Sequence, residues 1–133
     1  MNNKYKNIFN KLVELKDNAY CPYSNFFVTA IVKADNKFYY GVNIENSAYP
    51  SGTCAERSAI STAISYGAKN IDELYLLTNS IKFGSPCGNC RQFMSEFMND
   101  DCKIIIFNMN GEFKELLICD LLPFKFTKNN LIK

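Results

Sequence analysis

The sequence predicts a single α/β domain over residues 1–133, with a mixed five-stranded sheet between two helical layers in a three-layer α/β/α arrangement. Three observations predict this fold class. The length of 133 residues suits one domain. Helical and strand patterns follow one another as helix, two strands, helix, strand, helix, two strands. Strand–helix–strand connections favour parallel neighbours in the middle of a sheet, whereas hairpins add antiparallel strands at its edges.

The first half of the chain contains an amphipathic segment, a hairpin pattern and a second helix. Apolar residues recur at helical spacing from Tyr5 to Ala19, opposite a polar face. Two segments rich in β-branched and aromatic residues flank the turn signal Asp35-Asn36, as in a β-hairpin. Gly67 is a typical helix stop. The predicted elements are a helix at 5–19, strands at 26–33 and 37–44, and a helix at 53–66.

The second half continues with strands separated by a third helix. Two short apolar runs predict buried strands, and apolar residues at helical spacing follow a loop that ends in Pro86. Asn110-Gly111 is a strong turn signal between the last two strands. The predicted elements are strands at 73–78, 103–107 and 113–118 and a helix at 87–98.

The composition excludes several classes of function. The chain has no histidine, which removes Ser-His-Asp hydrolysis and Cys-His proteolysis. Its 15 basic residues nearly balance its 13 acidic ones. The sequence also lacks the stripe of basic residues that is typical of proteins that bind nucleic acid. No apolar run reaches the ~20 residues needed to span a bilayer, and the N-terminus lacks the apolar core of a signal peptide. We therefore expect a cytoplasmic protein without nucleic-acid or membrane partners.

Three of the six cysteines have the spacing of metal ligands. Cys87 and Cys90 form a C-x-x-C pair at the start of a predicted helix, so both thiolates can reach one zinc ion. Cys54 begins another predicted helix and supplies a third thiolate if the two helix starts lie side by side. Three protein ligands leave the fourth position of a tetrahedral zinc ion open for water, as catalysis requires.

Two charged residues follow Cys54 directly. Glu56 is too close to Cys54 to be a natural fourth ligand, but it can reach the bound water and transfer protons. Arg57 is expected to donate hydrogen bonds to the ligand sulfurs, because three thiolates outweigh the charge of Zn²⁺. The helix N-termini add partial positive charge to the same place.

Other interpretations of these residues remain open on the pattern alone. The C-x-x-C pair could be a redox dithiol. A structural zinc ion could take Cys21, Cys102 or Cys119 as a fourth ligand. Thr53-x-x-Glu56 also matches a helix capping box.

Several motifs, in order along the chain, carry a resemblance to a known family. They are PYSNF at 22–26, GVNIEN at 41–46, TCAERSA at 53–59, SPCGNCRQ at 85–92 and LLPFKF at 121–126. Cys-Ala-Glu followed later by Pro-Cys-x-x-Cys resembles the zinc deaminase pattern. The whole set is similar to the small homotetrameric cytidine deaminases with a three-cysteine zinc site, which implies their three-layer fold with a mixed five-stranded sheet.

The resemblance also implies an activity and its residues. The reaction would be hydrolytic deamination of cytidine and 2′-deoxycytidine to the uridine products and ammonia, with a zinc-bound hydroxide as nucleophile, in pyrimidine salvage. The implied roles are one zinc ion on Cys54, Cys87 and Cys90, proton shuttling by Glu56, ribose binding by Asn43 and Glu45, base contacts by Phe26 and the Ala55 backbone, and contributions of Tyr49 and Phe126 to neighbouring subunits.

Without the resemblance, Asn43 and Glu45 are most simply a solvated strand end, and Phe26 is a core aromatic. Two residues depart from the family pattern: Thr29 stands where glycine is common and Ser47 where alanine is common. The rival functions are deamination of blasticidin S, deamination of nucleic acid, and a non-enzymatic zinc scaffold.

Overall fold

The computed structural model describes residues 2–131 and contains a five-stranded sheet with helices on both faces. The strands are β1 (Val28–Ala34), β2 (Lys37–Val42), β3 (Glu73–Thr78), β4 (Lys103–Phe107) and β5 (Phe113–Leu117). The helices are α1 (Asn3–Leu15), α2 (Ala55–Ser65), α3 (Gly88–Phe97) and the short α4 (Ile118–Leu121). Three 3₁₀ turns lie at Lys16–Asn18, Tyr49–Ser51 and Lys128–Leu131.

The sheet is mixed, as the sequence predicts, with the strand order β2-β1-β3-β4-β5. β3 and β4 are parallel neighbours joined through α3, whereas all other pairs are antiparallel. β2 and β3 run in the same direction but do not pair, because β1 lies between them. Parallel pairing is therefore confined to one pair of strands at the centre of the sheet.

The two faces of the sheet bury separate apolar clusters. On one face α1 packs Leu12 and its apolar neighbours against Tyr75 and Phe107. On the other face α2 and α3 pack against Leu76 and Ile104. Successive residues of β3 and β4 alternate between these clusters, so both strands are buried on both sides and appear in the sequence as unbroken apolar runs. The three-layer prediction is confirmed.

The first helix ends earlier than its apolar pattern predicts. α1 stops at Leu15 rather than at residue 19, and a 3₁₀ turn follows it. Tyr20 forms a backbone bridge with Ile44, and its N–H donates to the carbonyl of Asn43. The chain must leave the helix to make these contacts, so a long-range pairing sets the helix end.

Other predicted boundaries shift by one or two residues. β1 begins at Val28 rather than at residue 26, and α2 begins at Ala55 rather than at residue 53. The backbone of Thr53 is paired with Ile44 in an isolated bridge, which keeps it extended and makes Cys54 the N-cap. The capping box at Thr53 is therefore not formed. Strand β5 runs into α4, which the pattern did not predict.

Gly41 sets the distance between β2 and α2. A Cβ atom at Gly41 would lie 2.3 Å from the Ala59 nitrogen and 2.5 Å from the Ala55 carbonyl oxygen. The helix therefore packs directly on the strand backbone. No helix within residues 2–131 is long and apolar enough to cross a membrane.

Candidate metal centre and surrounding cavity

The N-termini of α2 and α3 bring three cysteine side chains together. Cys54 is the N-cap of α2, Cys87 is the N-cap of α3, and Cys90 lies in the first turn of α3. Their sulfur atoms all lie within 4.8 Å of one another. A tetrahedral zinc ion with Zn–S bonds of ~2.3 Å separates its sulfur ligands by about 3.8 Å. The triad therefore fits one zinc ion with little movement.

No other cysteine of the described residues belongs to this cluster. Cys102 is half-buried, and its thiol donates to the carbonyl of Ile71 at 3.5 Å. Cys21 and Cys119 likewise lie outside the group whose sulfurs converge. The four-cysteine alternative is therefore not formed within residues 2–131, and the site offers the three protein ligands that are typical of catalytic zinc.

The surroundings favour the thiolate form of Cys54. Hydrogen bonding from the Cys90 thiol, with a further contribution from the Arg57 charge, overcomes burial and lowers the pKa of Cys54 to about 5. The pKa of Cys90 is raised, because its thiol donates to Cys54 and because it is buried. The Cys87 sulfur accepts from the Cys90 N–H at 3.5 Å, at the positive end of α3.

Glu56 is a buried carboxyl group beside the cysteines. It lies in the first turn of α2, is only 4% exposed and lines the same cavity as Cys54 and Cys87. Burial raises its pKa from 4.5 to about 6, with the neighbouring Cys54 acting in the same direction. A carboxyl group with a pKa near neutrality can both accept and donate protons at physiological pH.

Arg57 lies in the first turn of α2, beside the metal ligand Cys54. Its Nη2 donates to the carbonyl of Gly52 at 3.4 Å, and its charge helps lower the pKa of Cys54. Its buried Nε has no hydrogen-bond partner among the described residues. A half-buried guanidinium with a free, buried Nε donor close to Cys54 fits the compensating role that the sequence predicts.

A cavity of about 840 Å³ opens in front of the cysteines. Most of the predicted site residues line it together: Phe26, Asn43, Glu45, Tyr49, Cys54, Ala55, Glu56, Arg57 and Cys87. Cys90 is fully buried behind this wall. Residues that are far apart in the sequence therefore meet around one space, as the prediction requires.

Phe126 does not line this cavity. The residue is 58% exposed, and its carbonyl accepts from Gln92 Nε2 at 3.0 Å, outside the cavity. A second, small depression there is bordered by Ser95 and Glu96. The structure of one chain therefore leaves Phe126 away from the chain's own metal centre.

Asn43 and Glu45 are tied to the backbone of the cavity wall. Asn43 is 9% exposed; its Oδ1 accepts from the Val28 N–H at 2.9 Å and its Nδ2 donates to the Phe26 carbonyl at 2.9 Å. Glu45 accepts from the N–H groups of Tyr23 and Ser24 at 3.0 and 3.1 Å, and from the Ser24 hydroxyl. The Ser24 hydroxyl lowers the pKa of Glu45, so the carboxylate is held ionised at the rim.

Exposed aromatic rings surround the mouth of the cavity. Phe26 is 42% exposed and Tyr49 is 77% exposed. The ring of Tyr23 packs edge-on against Tyr49 with the centroids 6.2 Å apart. The interpretation of Phe26 as an ordinary core aromatic therefore does not hold in the single chain.

Sequence reasoning missed two residues that shape this region. Ser24 helps hold Glu45, and Arg91 binds three groups around the segment before Cys87. Both residues belong to motifs of the family resemblance, PYSNF and SPCGNCRQ, which is the only signal that the sequence offers for them. Their contacts with Glu45 and Leu121 join segments that are far apart in the sequence, so no local pattern predicts them.

Comparison with known proteins agrees with this geometry. A sequence profile described as "Cytidine and deoxycytidylate deaminase zinc-binding region" matches residues 2–113. A cytidine deaminase of Mycoplasma genitalium is 38% identical over 123 residues, covering 92% of this chain and 95% of that protein. The crystal structure of a cytidine deaminase from Burkholderia pseudomallei superposes with a TM-score of 0.87 at 31% identity, covering 95% of this chain and all of that one. A blasticidin-S deaminase of Bacillus cereus is 37% identical over 84 residues, covering 57% of this chain and 59% of that protein.

Proposed function

This chain belongs to the cytidine and deoxycytidylate deaminase family, and from that premise we propose that it deaminates cytidine and 2′-deoxycytidine by zinc-dependent hydrolysis. The products are uridine or 2′-deoxyuridine and ammonia, as in pyrimidine salvage. One observation carries the proposal: the sulfurs of Cys54, Cys87 and Cys90 converge beside the buried carboxyl group of Glu56, in the wall of an open cavity.

The chemistry divides between the metal and the protein. Zinc, when held by the three thiolates, supplies Lewis-acid activation of a water molecule. Glu56 accepts a proton from the attacking water and delivers it to ring nitrogen 3 as oxygen bonds to carbon 4. It then carries a second proton from that oxygen to the amino group, the bond from carbon 4 to the amino nitrogen breaks, and ammonia leaves. Glu56 ends in the protonation state in which it began.

The remaining contacts orient the nucleoside. The Ala55 N–H donates, in this proposal, to the carbonyl oxygen of the base. Ala55 is the first residue of α2, where N–H groups have no partner within the helix, which supports this role. Phe26 offers an exposed ring face to the pyrimidine. Asn43 and Glu45 present amide and carboxylate groups to the ribose hydroxyls from positions that Val28 and Ser24 hold in place.

The charge of the cavity favours a nucleoside over a nucleotide. Its ionisable lining residues other than cysteine and tyrosine are Glu45, Glu56 and Arg57. The Arg57 guanidinium donates to the Gly52 carbonyl, and its charge lowers the pKa of Cys54, so it interacts with the metal centre and is not available to a phosphate. A 5′-phosphate would therefore meet a carboxylate at the rim and no free cation among the described lining residues.

Blasticidin S is the second candidate substrate, because part of the chain is similar to a deaminase named for it. The paired ribose-binding groups at Asn43 and Glu45 favour the nucleoside. A competition assay with both compounds separates the two, since a true cytidine deaminase turns over cytidine with the higher kcat/KM. Turnover of a cytosine-containing oligonucleotide would instead indicate a nucleic-acid substrate.

The assembly that we propose is a homotetramer in which neighbouring chains complete each site. Phe126 lies outside its own cavity, and Tyr49 is largely exposed at the mouth. Burial of such aromatic surface is a common driving force for association. Light scattering at several protein concentrations tests the assembly. We also propose a cytoplasmic location, because six unpaired cysteines are typical of a reducing compartment.

Substitution of Glu56 tests the function most directly. Glu56→Ala should retain one zinc ion per chain and the fold, while the loss of cytidine absorbance slows by at least ~10²-fold, because positioned proton transfer contributes about that much or more. Glu14→Ala is a matched control, since Glu14 is exposed on α1 across the sheet from the site. Near wild-type turnover by Glu56→Ala would refute the proton-shuttle assignment. If the wild type and Glu56→Ala both bind zinc and neither deaminates cytidine, the chain is instead a non-enzymatic zinc scaffold.

A further inference from the structure

The segment Gly84–Pro86 leads directly into the metal ligand Cys87, and its first residue is in close contact with the sheet. A Cβ atom built on Gly84 would lie 2.5 Å from Thr78 Cγ2 and 2.6 Å from Thr78 Oγ1. Ordinary Cβ contacts begin at 3.4 Å. The Thr78 side chain therefore fills the space in which a side chain at position 84 would stand.

Thr78 is a buried polar residue at the end of a central strand. It ends β3, pairs with Val28 in the sheet register and is 5% exposed, and it lines the cavity. Its Oγ1 is buried and has no hydrogen-bond partner among the described residues. An unsatisfied buried hydroxyl lowers stability, so hydrogen bonding within the chain does not account for this side chain. Its shape, in contact with Gly84, does.

Arg91 holds the same segment from α3. Its Nε donates to the Pro86 carbonyl at 2.8 Å, its Nη2 donates to Ser85 Oγ at 2.6 Å, and its Nη1 donates to the Leu121 carbonyl at 2.8 Å. Three donors of one planar group thus bind both residues before Cys87 and the end of α4. Such a multidentate contact fixes the backbone more closely than one hydrogen bond does.

We propose that Thr78 and Arg91 are positioning residues for the metal ligand Cys87, Thr78 by its contact with Gly84 and Arg91 by binding Ser85 and Pro86. Neither residue belongs to the sulfur triad. Both act on the backbone that sets where the Cys87 sulfur lies. The inference rests on the proposed zinc-dependent function, which it extends to the residues that determine metal affinity.

The distances explain why small shifts matter here. A side chain at position 84 must move away from Thr78 by roughly 0.9 Å to reach an ordinary contact, while zinc–ligand distances vary by only about 0.2 Å. A displacement of that size, passed along Ser85 and Pro86, exceeds what the metal site tolerates. Supporting partners of metal ligands typically contribute about 10–100-fold to affinity or activity.

The experiment compares zinc affinity, measured by competition with a chromogenic chelator, among matched variants. Gly84→Ala should bind zinc about 10–100-fold more weakly than the wild type. Gly88→Ala is the control, because it adds the same methyl group on the other side of Cys87, where a Cβ meets no atom within 4 Å. The double variant Thr78→Ala/Gly84→Ala removes the two closest atoms and leaves only Thr78 Cβ, which lies 3.0 Å from the added methyl group. It should therefore regain most of the zinc affinity that Gly84→Ala loses, with Thr78→Ala alone as the reference.

Two further variants separate shape from polarity. Thr78→Val keeps the shape without the hydroxyl, so its zinc affinity should equal that of the wild type and its free energy of unfolding should be equal or higher. Arg91→Ala should lose about tenfold or more in zinc affinity, while Arg91→Lys, which keeps the charge but loses the fork of donors, should recover only part of it.

Each result has a defined meaning. Equal zinc affinity of Gly84→Ala and Gly88→Ala, or failure of Thr78→Ala to rescue Gly84→Ala, overturns the role of Thr78. Wild-type zinc affinity of Arg91→Ala overturns the role of Arg91. If Gly84→Ala is too unstable to load metal, rescue is measured in the free energy of unfolding, with the same interpretation. If the wild type binds zinc but does not deaminate cytidine, the proposed function fails while the zinc measurements still test the positioning residues.

Discussion

Gly41 joins the fold to the metal centre, and Gly41→Ala tests that connection. The added Cβ would stand 2.3 Å from the Ala59 nitrogen, 2.5 Å from the Ala55 carbonyl oxygen and 2.9 Å from the Ala59 Cα. All three atoms belong to the backbone of α2, so no side-chain rotation relieves the contact. The helix must move away from β2, or the strand must bend.

The size of the effect follows from these distances. An ordinary contact begins at 3.4 Å, so α2 and β2 must separate by roughly 1.1 Å at this point. Inserting a methylene into a packed core costs about 1–3 kcal/mol when side chains can adjust, and a contact with rigid backbone belongs at the upper end, about 3 kcal/mol. For a domain of this size that lowers Tm by roughly 10 °C. The same displacement moves Cys54 and Glu56, because both lie at the N-terminus of α2.

Thermal unfolding of Gly41→Ala, followed by circular dichroism with and without zinc, measures the loss of stability, and chelator competition measures zinc affinity. Gly88→Ala serves as the control, because a Cβ there meets open space. A Tm within about 2 °C of the wild type, together with unchanged zinc affinity, would refute the argument that the direct contact of α2 with β2 positions the metal ligands.

Three further predictions concern the substrate, the metal and pH. Glu45→Gln should raise KM for cytidine about tenfold with a smaller effect on kcat, because the charged hydrogen bond that we propose between the ribose and Glu45 is lost; an unchanged KM would contradict that proposal. Removal of zinc by a chelator should abolish deamination and lower Tm, and added zinc should restore both; full turnover by metal-free protein would contradict the metal assignment. Burial acts to raise the pKa of Glu73, but hydrogen bonds from Tyr75 and Lys4 lower it below its ordinary value. Its stabilising contribution is therefore complete above the unfolded-state pKa near 4.5 and is lost as pH falls through the lower folded-state pKa. Urea unfolding of Glu73→Gln should accordingly show a loss of stability at pH 7 that disappears in acid, and a pH-independent difference would contradict this.

The sequence alone determined the elements that have a strong local pattern. The predicted strands at 73–78 and 103–107 coincide with β3 and β4, because segments buried on both faces must be apolar throughout. Two of the metal ligands could also be predicted from the sequence, because a C-x-x-C pair at a helix start holds two sulfurs close together through local geometry. The prediction of Cys54 as the third ligand needed one further assumption, that the N-termini of the two helices lie side by side.

The tertiary structure decided what depends on contacts between distant segments. The end of α1 is set by the bridge of Tyr20 to Ile44, and the position of β1 between β2 and β3 has no local sequence pattern. Asn43 holds the Phe26–Val28 backbone as well as lining the cavity, which spacing along a strand could not show. The contacts of Thr78 and Arg91 with the segment before Cys87 also could not be predicted from the sequence. Periodicity records which face of an element is buried, whereas these contacts arise only when separate loops are brought together by packing, so no single segment encodes them.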